Sequence, residues 1–338
     1  MRAKQLTSLL TTAIAASLPV LITGAPGIGK SDIVAQAAAA AGAELMISHP
    51  AIEDPTKPGG LPMAKQDDEW ARLLPFHDLW RALNAPGPFV WFLDDLGQAT
   101  PAVQAAYMQL LLAREVNGQK LPPWVTFVAA TNRRTDRAGV SGILEPVKSR
   151  FATIVELEVH VEDWLDWAAE NDEAPEVMAF IRIKPDSLHD FTPTADLTNS
   201  ASPRTWHNVS KWVKLQLPND LELPTYAGAV GMGQAAAFTG FLRMYRDMPS
   251  IDEIILDPKK AAIPKDTSAL WAVATGLASY ANPENFERVL TYAERLPQEF
   301  GIACVRDATR RDKSVTKTKA WMRYVTGPLG KAVMGDVA

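Results

Sequence analysis

The sequence predicts an α/β domain built on a parallel sheet, followed by an all-helical region. Three observations carry this. From Pro19 to Val159, apolar runs of strand length alternate with helical patterns, as they do in doubly wound proteins. After Val159 strand signals nearly vanish. Between the first strand and the first helix of that alternation lies Gly24-Ala-Pro-Gly-Ile-Gly-Lys-Ser31, a glycine-rich run of the type that cradles phosphate in this context.

Pro19 to Thr23 reads as a short strand, Ser31 to Ala41 as an alanine-rich helix closed by Gly42, and Glu44 to Ser48 as a second strand. A Pro/Gly-rich segment, Pro50 to Pro62, precedes a helix around Phe76 to Asn84. Phe89 to Leu93 and Val125 to Thr131 are apolar enough to be strands buried on both faces, with a helix from Pro101 to about Glu115 between them. Thr153 to Val159 is the last strand. Beyond it, residues 162–182 suggest two helices, Arg204 to Leu215 another and Thr225 to Arg246 a long one. The remainder is helical and punctuated by Pro249, Pro258, Pro264, Pro283 and Pro297. The expected domains are residues 1–159, 160–250 and 251–338.

With 34 Lys+Arg against 39 Asp+Glu the formal charge is −5, which gives whole-chain electrostatics no case for nucleic-acid binding. Cys304 is the single cysteine, so no intrachain disulfide forms and no zinc site has its ligands, as expected of a reducing compartment and hence the cytoplasm. His49 and His77 lack partners at metal spacing and read as loop and core residues. Ten scattered tryptophans read as packing residues rather than a stacking platform. Two uncharged stretches imitate membrane signals. Gln5 to Gly29 follows Arg2 and Lys4 as in a leader peptide, but Thr7, Ser8, Thr11 and Thr12 break its apolar run. Leu223 to Leu242 contains Pro224, Gly228, Gly231, Gly233, Gln234 and Gly240, which suit a packed helix better than a bilayer span. No membrane is expected.

Charge is nonetheless uneven. Glu156 to Glu176 carries nine acidic residues and no Lys or Arg, whereas Arg306 to Lys331 carries eight basic and two acidic ones. The plain expectation is two oppositely charged solvated faces; the alternative is docking of a subunit or partner.

Chemistry concentrates at three strand ends. In the glycine-rich loop, Gly24, Gly27 and Gly29 let backbone N–H groups turn inward toward phosphate oxygens, with Ala25, Pro26 and Ile28 completing the turn. Lys30 would neutralise β- and γ-phosphate charge and Ser31 would ligate Mg²⁺. The strand Phe89 to Leu93 ends in Asp94 and Asp95, at the sheet edge where ligands bind. Asp94 would hold Mg²⁺ directly or through water, and Asp95 would polarise the attacking water. Trp124-Val-Thr-Phe-Val-Ala-Ala-Thr-Asn132 ends in an amide able to hold a water near the γ-phosphate.

In this order the three strand ends resemble the AAA+ ATPases, and in detail their MoxR-like branch with its dynein-related relatives. Gly24 to Ser31 matches Walker A, Phe89 to Asp95 Walker B, and Asn132 sensor 1. The likeness continues through Asp94-Asp-Leu-Gly-Gln-Ala-Thr-Pro-Ala-Val-Gln104, Asp136-Arg-Ala-Gly139, Ser149-Arg150-Phe151 and Ser202-Pro-Arg-Thr-Trp206, covering about residues 15–250. It implies a P-loop AAA+ core over 1–159, a helical lid over 160–250 and a helical extension over 251–338. It also implies ATP and Mg²⁺ as ligands and a ring, usually of six copies. Arg150 resembles the arginine finger that reaches the neighbouring subunit's ATP, with Arg133, Arg134 and Arg137 as rivals, and Arg204 resembles the sensor 2 arginine. The implied activity is ATP-driven remodelling of a partner protein, often one with a von Willebrand factor A domain. The alternative is a nucleic-acid-linked AAA+ protein or nucleotide-gated switch using Arg306 to Lys331.

The chain departs from the family at Asp95, where glutamate is usual, so hydrolysis is expected to be slow. Glu53-Asp-Pro-Thr-Lys-Pro-Gly-Gly-Leu-Pro62 lies where the family carries a loop toward the ring pore, with Lys57 and Leu61 as contact residues; the alternative is a proline-stiffened turn.

Overall fold

The computed structural model describes residues 1–64, 70–136, 142–193, 197–246, 248, 250–327 and 330, and the chain divides into two compact units, Met1–Val159 and His160–Ala338.

The first unit opens with helix α1 (Ala3–Ala15), whose Leu6, Leu10, Ala13 and Ile14 are buried. Strand β1 (Val20–Thr23) and helix α2 (Lys30–Ala40) flank the glycine-rich loop, and β2 (Glu44–Ser48) follows. A small hairpin, β3 (Leu61–Met63) with β4 (Arg72–Leu74), interrupts the alternation before α3 (His77–Leu83) and β5 (Phe89–Leu93). Helix α4 (Pro101–Ala113) leads through a minimal hairpin, β6 (Glu115–Val116) and β7 (Gln119–Lys120), to β8 (Val125–Thr131). Helix α5 (Glu145–Lys148) and β9 (Thr153–Glu156) complete the unit.

The five long strands pair in parallel in the order β2-β5-β8-β1-β9, giving the parallel sheet that the sequence predicts. Alternate residues of β5 serve opposite layers. Phe89, Trp91 and Leu93 enter a core with Leu79, Tyr107 and Leu110 of α3 and α4, while Val90 and Phe92 enter one with Leu6, Ile14, Val34 and Ala37 of α1 and α2. Burial on both faces is why β5 and β8 read as unbroken apolar runs, whereas the edge strands β2 and β9 are partly exposed. The hairpin in the Pro/Gly segment has no such cue: Leu61, Met63, Leu73 and Leu74 are all exposed. His77, expected in the core, is exposed at the start of α3 and stacks on Trp80.

The second unit is helical, comprising α6 (Val161–Glu170), α7 (Pro175–Ile183), α8 (Pro203–Lys214), α9 (Asn219–Val230), α10 (Met232–Arg246), α11 (Ile251–Leu256), α12 (Thr267–Tyr280), α13 (Phe286–Ala293), α14 (Gln298–Arg311) and α15 (Lys319–Thr326). The long helix expected over Thr225 to Arg246 is two helices. Gly231 between them adopts φ +82°, and a Cβ there would also lie 3.2 Å from the Asn199 carbonyl oxygen. Phe180, Trp206, Tyr226 and Phe238 form one aromatic core, with Trp206 Nε1 donating to the Ser187 carbonyl. Helix α12 packs on both α7 and α14, and the buried Arg182 of α7 lies 2.7 Å from Asp307 of α14. Burial pushes the Cys304 thiol well above its ordinary pKa, so it is a packing residue.

The two charged runs meet in part instead of forming wholly separate solvated faces, while Lys313, Lys317 and Lys319 stay exposed. Helix α14 packs on α6, where Arg306 meets Glu162 at 3.3 Å, Arg310 pairs with Asp166, and Arg311 pairs with Asp172 and donates to the Glu173 carbonyl. Arg323 pairs with Glu287. Lys331 lies outside the described residues. Among the described residues no helix is long and apolar enough to cross a membrane.

Candidate functional site

The glycine-rich loop joins the carboxyl end of β1 to the start of α2, so its backbone passes over the edge at which β5 and β8 also end. Two of its glycines have no substitute. A Cβ on Gly24 would lie 2.8 Å from Ile28 Cδ1 and 2.9 Å from the Leu157 carbonyl oxygen, and Gly29 sits at φ +92° immediately before the helix. Ala25 and Ile28 are buried, anchoring the loop from below.

Lys30 is folded into this loop rather than extended into solvent, with 7% of its surface exposed. Its ammonium donates to the carbonyls of Gly24 at 3.0 Å and Ala25 at 2.8 Å, and to Asn132 Oδ1 at 2.8 Å. All three of its acceptors are oxygen atoms, the kind of acceptor a phosphate offers. Ser31 Oγ donates to Asp94 Oδ2 at 2.8 Å, bringing a hydroxyl and a carboxylate together. Such an oxygen donor set suits a hard divalent cation that keeps several waters, as Mg²⁺ does.

Asp95 follows at the end of β5 with φ +56° and ψ +34°, a left-handed conformation that aspartate tolerates better than most side chains. Asn132 Nδ2 donates to Asp95 Oδ1 at 3.3 Å. Since its Oδ1 already accepts from Lys30, the Asn132 amide is oriented by both neighbours. Lys30, Ser31, Asp94, Asp95 and Asn132, contributed by three segments, form one polar group, joined where the Asp95 N–H donates to Asp94 Oδ1 at 3.1 Å.

The arginines are distributed differently. Arg150 lies just past α5, between Val147 and Phe151, which are both buried, and its guanidinium donates to the Pro146 carbonyl. Arg133 is committed elsewhere, to Asp136 at 3.0 Å and Glu156 at 3.3 Å, and Asp136 holds it more firmly protonated than usual. Arg134 is exposed in a short 3-10 turn, Arg134–Asp136. Arg137 and Gly139 lie outside the described residues. Arg204 is exposed in the first turn of α8, where Ser202 caps the helix by accepting from the Thr205 N–H at 3.3 Å.

Lys57, expected as a contact residue in a pore-facing loop, is instead pinned. Its ammonium lies 2.7 Å from Glu53 and 2.8 Å from Asp78, with Ser48 donating to the same Asp78 oxygen and Tyr107 donating to Glu53. Leu61 remains exposed on the hairpin. Sequence reasoning missed this network because, the Glu53–Lys57 pair aside, its members are spread from Ser48 to Tyr107.

No protein-family model and no curated protein matches the chain. Among solved structures it is similar to Thermotoga maritima RuvB, described as a Holliday junction branch migration motor, at 18% identity and TM-score 0.41 over 86% of each chain. A single-substitution mutant of that protein gives 18% identity and TM-score 0.42, covering 86% of this chain and 87% of that one. NtrX from Brucella abortus, in complex with ADP, gives 14% identity and TM-score 0.41, covering 97% of this chain and 68% of that one. These likenesses add nothing to what the sheet order and the loop geometry establish.

Proposed function

We propose that the chain is an ATP-binding and ATP-hydrolysing AAA+ ring protein of MoxR-like type, a motor or chaperone that remodels a partner protein. The observation carrying this reading is the connected group of Lys30, Ser31, Asp94, Asp95 and Asn132 around a glycine-rich loop. In it Lys30 and backbone N–H groups of the glycine-rich loop bind the phosphates. Ser31 and Asp94 hold Mg²⁺, which when bound neutralises phosphate charge. Asp95 accepts a proton from the attacking water, and Asn132 keeps the Asp95 carboxylate and the Lys30 ammonium in register. Hydrolysis is slow because aspartate reaches less far than glutamate.

Arg150 serves the neighbouring subunit's site as a finger, since a guanidinium keeps its charge and presents a fixed fork of donors. Arg204 reads nucleotide from a lid over 160–250, and 251–338 is an extension of that lid. A closed ring, expected to hold six copies, follows from head-to-tail sharing of sites. The partner is a protein client or a von Willebrand factor A domain, and the setting is cytoplasmic. Arg306, Arg310, Arg311 and Arg323 pair with carboxylates, which leaves the nucleic-acid-linked alternative to the exposed Lys313, Lys317 and Lys319.

The test is complementation. Arg150→Ala and Lys30→Ala proteins should each be inactive alone and regain ATP hydrolysis when mixed, because one interface type then pairs an intact loop with an intact finger. Light scattering with ATP should show an assembly several chains in mass. Full activity of a demonstrably monomeric sample would overturn the shared site, and an absence of hydrolysis in the unmutated assembly would leave the switch reading in its place.

A further inference from the structure

Gln104 lies on the fourth residue of α4 and is 1% exposed, yet it is an amide in an otherwise apolar layer with Val103, Tyr107 and Val147. Its Nε2 donates to the Ala99 carbonyl at 3.1 Å and the Gly142 carbonyl at 2.9 Å, while its Oε1 accepts from the Leu144 N–H at 3.0 Å. Both amide hydrogens are therefore used, and all three partners are backbone groups. The partners belong to two segments. Ala99 ends the short turn that begins at Asp95, whose carbonyl accepts from the Gln98 N–H at 2.9 Å. Gly142 and Leu144 lead directly into α5 and so to Arg150.

Apolar contact between these segments exists already, through Leu96, Ala99, Val103, Val147 and Phe151. Apolar packing is non-directional and tolerates sliding, whereas three hydrogen bonds from one planar amide define a single register. An apolar side chain of similar length would fill the same space and leave two carbonyls and one N–H without the amide's bonds.

We propose that Gln104 is a positioning residue that sets where a subunit's Arg150 stands for its neighbour, tying that placement to the turn after the subunit's own Asp95. This rests on the shared-site reading of Arg150. Gln104 touches no reacting group in it and acts only through the 142–150 segment.

Gln104→Met should bind ATP within about twofold of the unmutated protein and hydrolyse it at least tenfold more slowly, a loss in kcat rather than KM. The deciding readout is the partner that rescues it. The variant has an intact loop and a misplaced finger, so mixing with Lys30→Ala subunits should restore hydrolysis and mixing with Arg150→Ala subunits should not. Recovery with Arg150→Ala instead would show that Gln104 acts on its own subunit's site, and recovery with neither would show a general structural role; both overturn the proposal. The Lys30→Ala and Arg150→Ala mixture runs beside these. Its failure refutes the shared site, whereas its success with the wrong sorting of Gln104→Met refutes only the role of Gln104. Should Gln104→Met lose ATP binding, Leu144→Pro removes one of the same bonds from the other end at a φ of −59°, where proline is accommodated, and must sort the same way.

Discussion

Lys30 and Asn132, separated by 102 residues in sequence, meet at 2.8 Å, with the ammonium of one donating to the amide oxygen of the other. The contact joins the glycine-rich loop to the end of β8 and makes Asn132 a bridge, since its nitrogen donates onward to Asp95. The two ends of that bridge serve different purposes, and mutation separates them.

Lys30→Met removes the charge while keeping most of the buried stem. Hydrogen bonds to a charged group are worth about 1.5–3 kcal/mol each, so ATP affinity should fall by at least about a hundredfold. Asn132→Ala leaves the ammonium in place and should alter affinity by only a few-fold while slowing hydrolysis strongly. Titration with a fluorescent ATP analogue, beside steady-state turnover, checks both; equal losses of affinity in the two variants would contradict the division of roles.

Asp95 combines a short side chain with a left-handed backbone, and the two are linked. Asparagine and aspartate visit this region more readily than glutamate, so Asp95→Asn should fold normally, bind ATP with Mg²⁺ and stop turning over. Asp95→Glu gains reach at a backbone cost of about 1 kcal/mol. It should therefore unfold at lower denaturant concentration even if its turnover rises, and an unchanged denaturation midpoint would show that the local conformation relaxes on substitution.

The reaction edge was legible because its parts are local. A glycine-rich loop between a strand and a helix, and Asp94-Asp95 after five apolar residues, announce themselves over stretches of fewer than ten residues. Strands β2, β5 and β8 have the bounds that their apolar runs indicate, and in β5 and β8 hydrophobic pattern and burial coincide. What escaped depends on distant partners. Nothing near Lys57 foretells Asp78, nothing near Gln104 foretells Gly142, and a glycine inside a helical pattern does not disclose whether it will bend the chain, as Gly231 does. The charged runs show the same limit: net charge per segment was readable, but the partial neutralisation through Arg306, Arg310 and Arg311 required α6 and α14 to be neighbours.

That neutralisation has a measurable cost when broken. The side chains of Arg310 and Asp166 are 12% and 11% exposed, so Arg310→Gln takes a charged partner from a largely desolvated carboxylate. A loss of up to about 3 kcal/mol of stability is expected, read as a lower midpoint in urea. The unmutated protein should also show little salt-dependent retention of duplex or single-stranded DNA. Tight retention that disappears on neutralising Lys313, Lys317 and Lys319 would restore a nucleic-acid role to the C-terminal segment.

Glu176, the second residue of α7, has its pKa raised because burial disfavours its charged form more strongly than Arg246, Arg311 and Lys214 favour it. A carboxyl whose folded pKa stands above its unfolded value contributes most below the unfolded value, and that contribution is lost as pH rises through the folded one. At neutral pH the fold therefore carries an ionised group that it would rather keep protonated. Glu176→Gln mimics the protonated form and should raise Tm at about pH 7, with the gain shrinking to nothing below about pH 4, where the unmutated side chain is protonated in both states. Thermal melts of the two proteins across that range test the sign directly. A gain that grew on acidification, or a loss at pH 7, would mean that the three nearby cations outweigh burial and that Glu176 is an ion-pair partner of the helical unit.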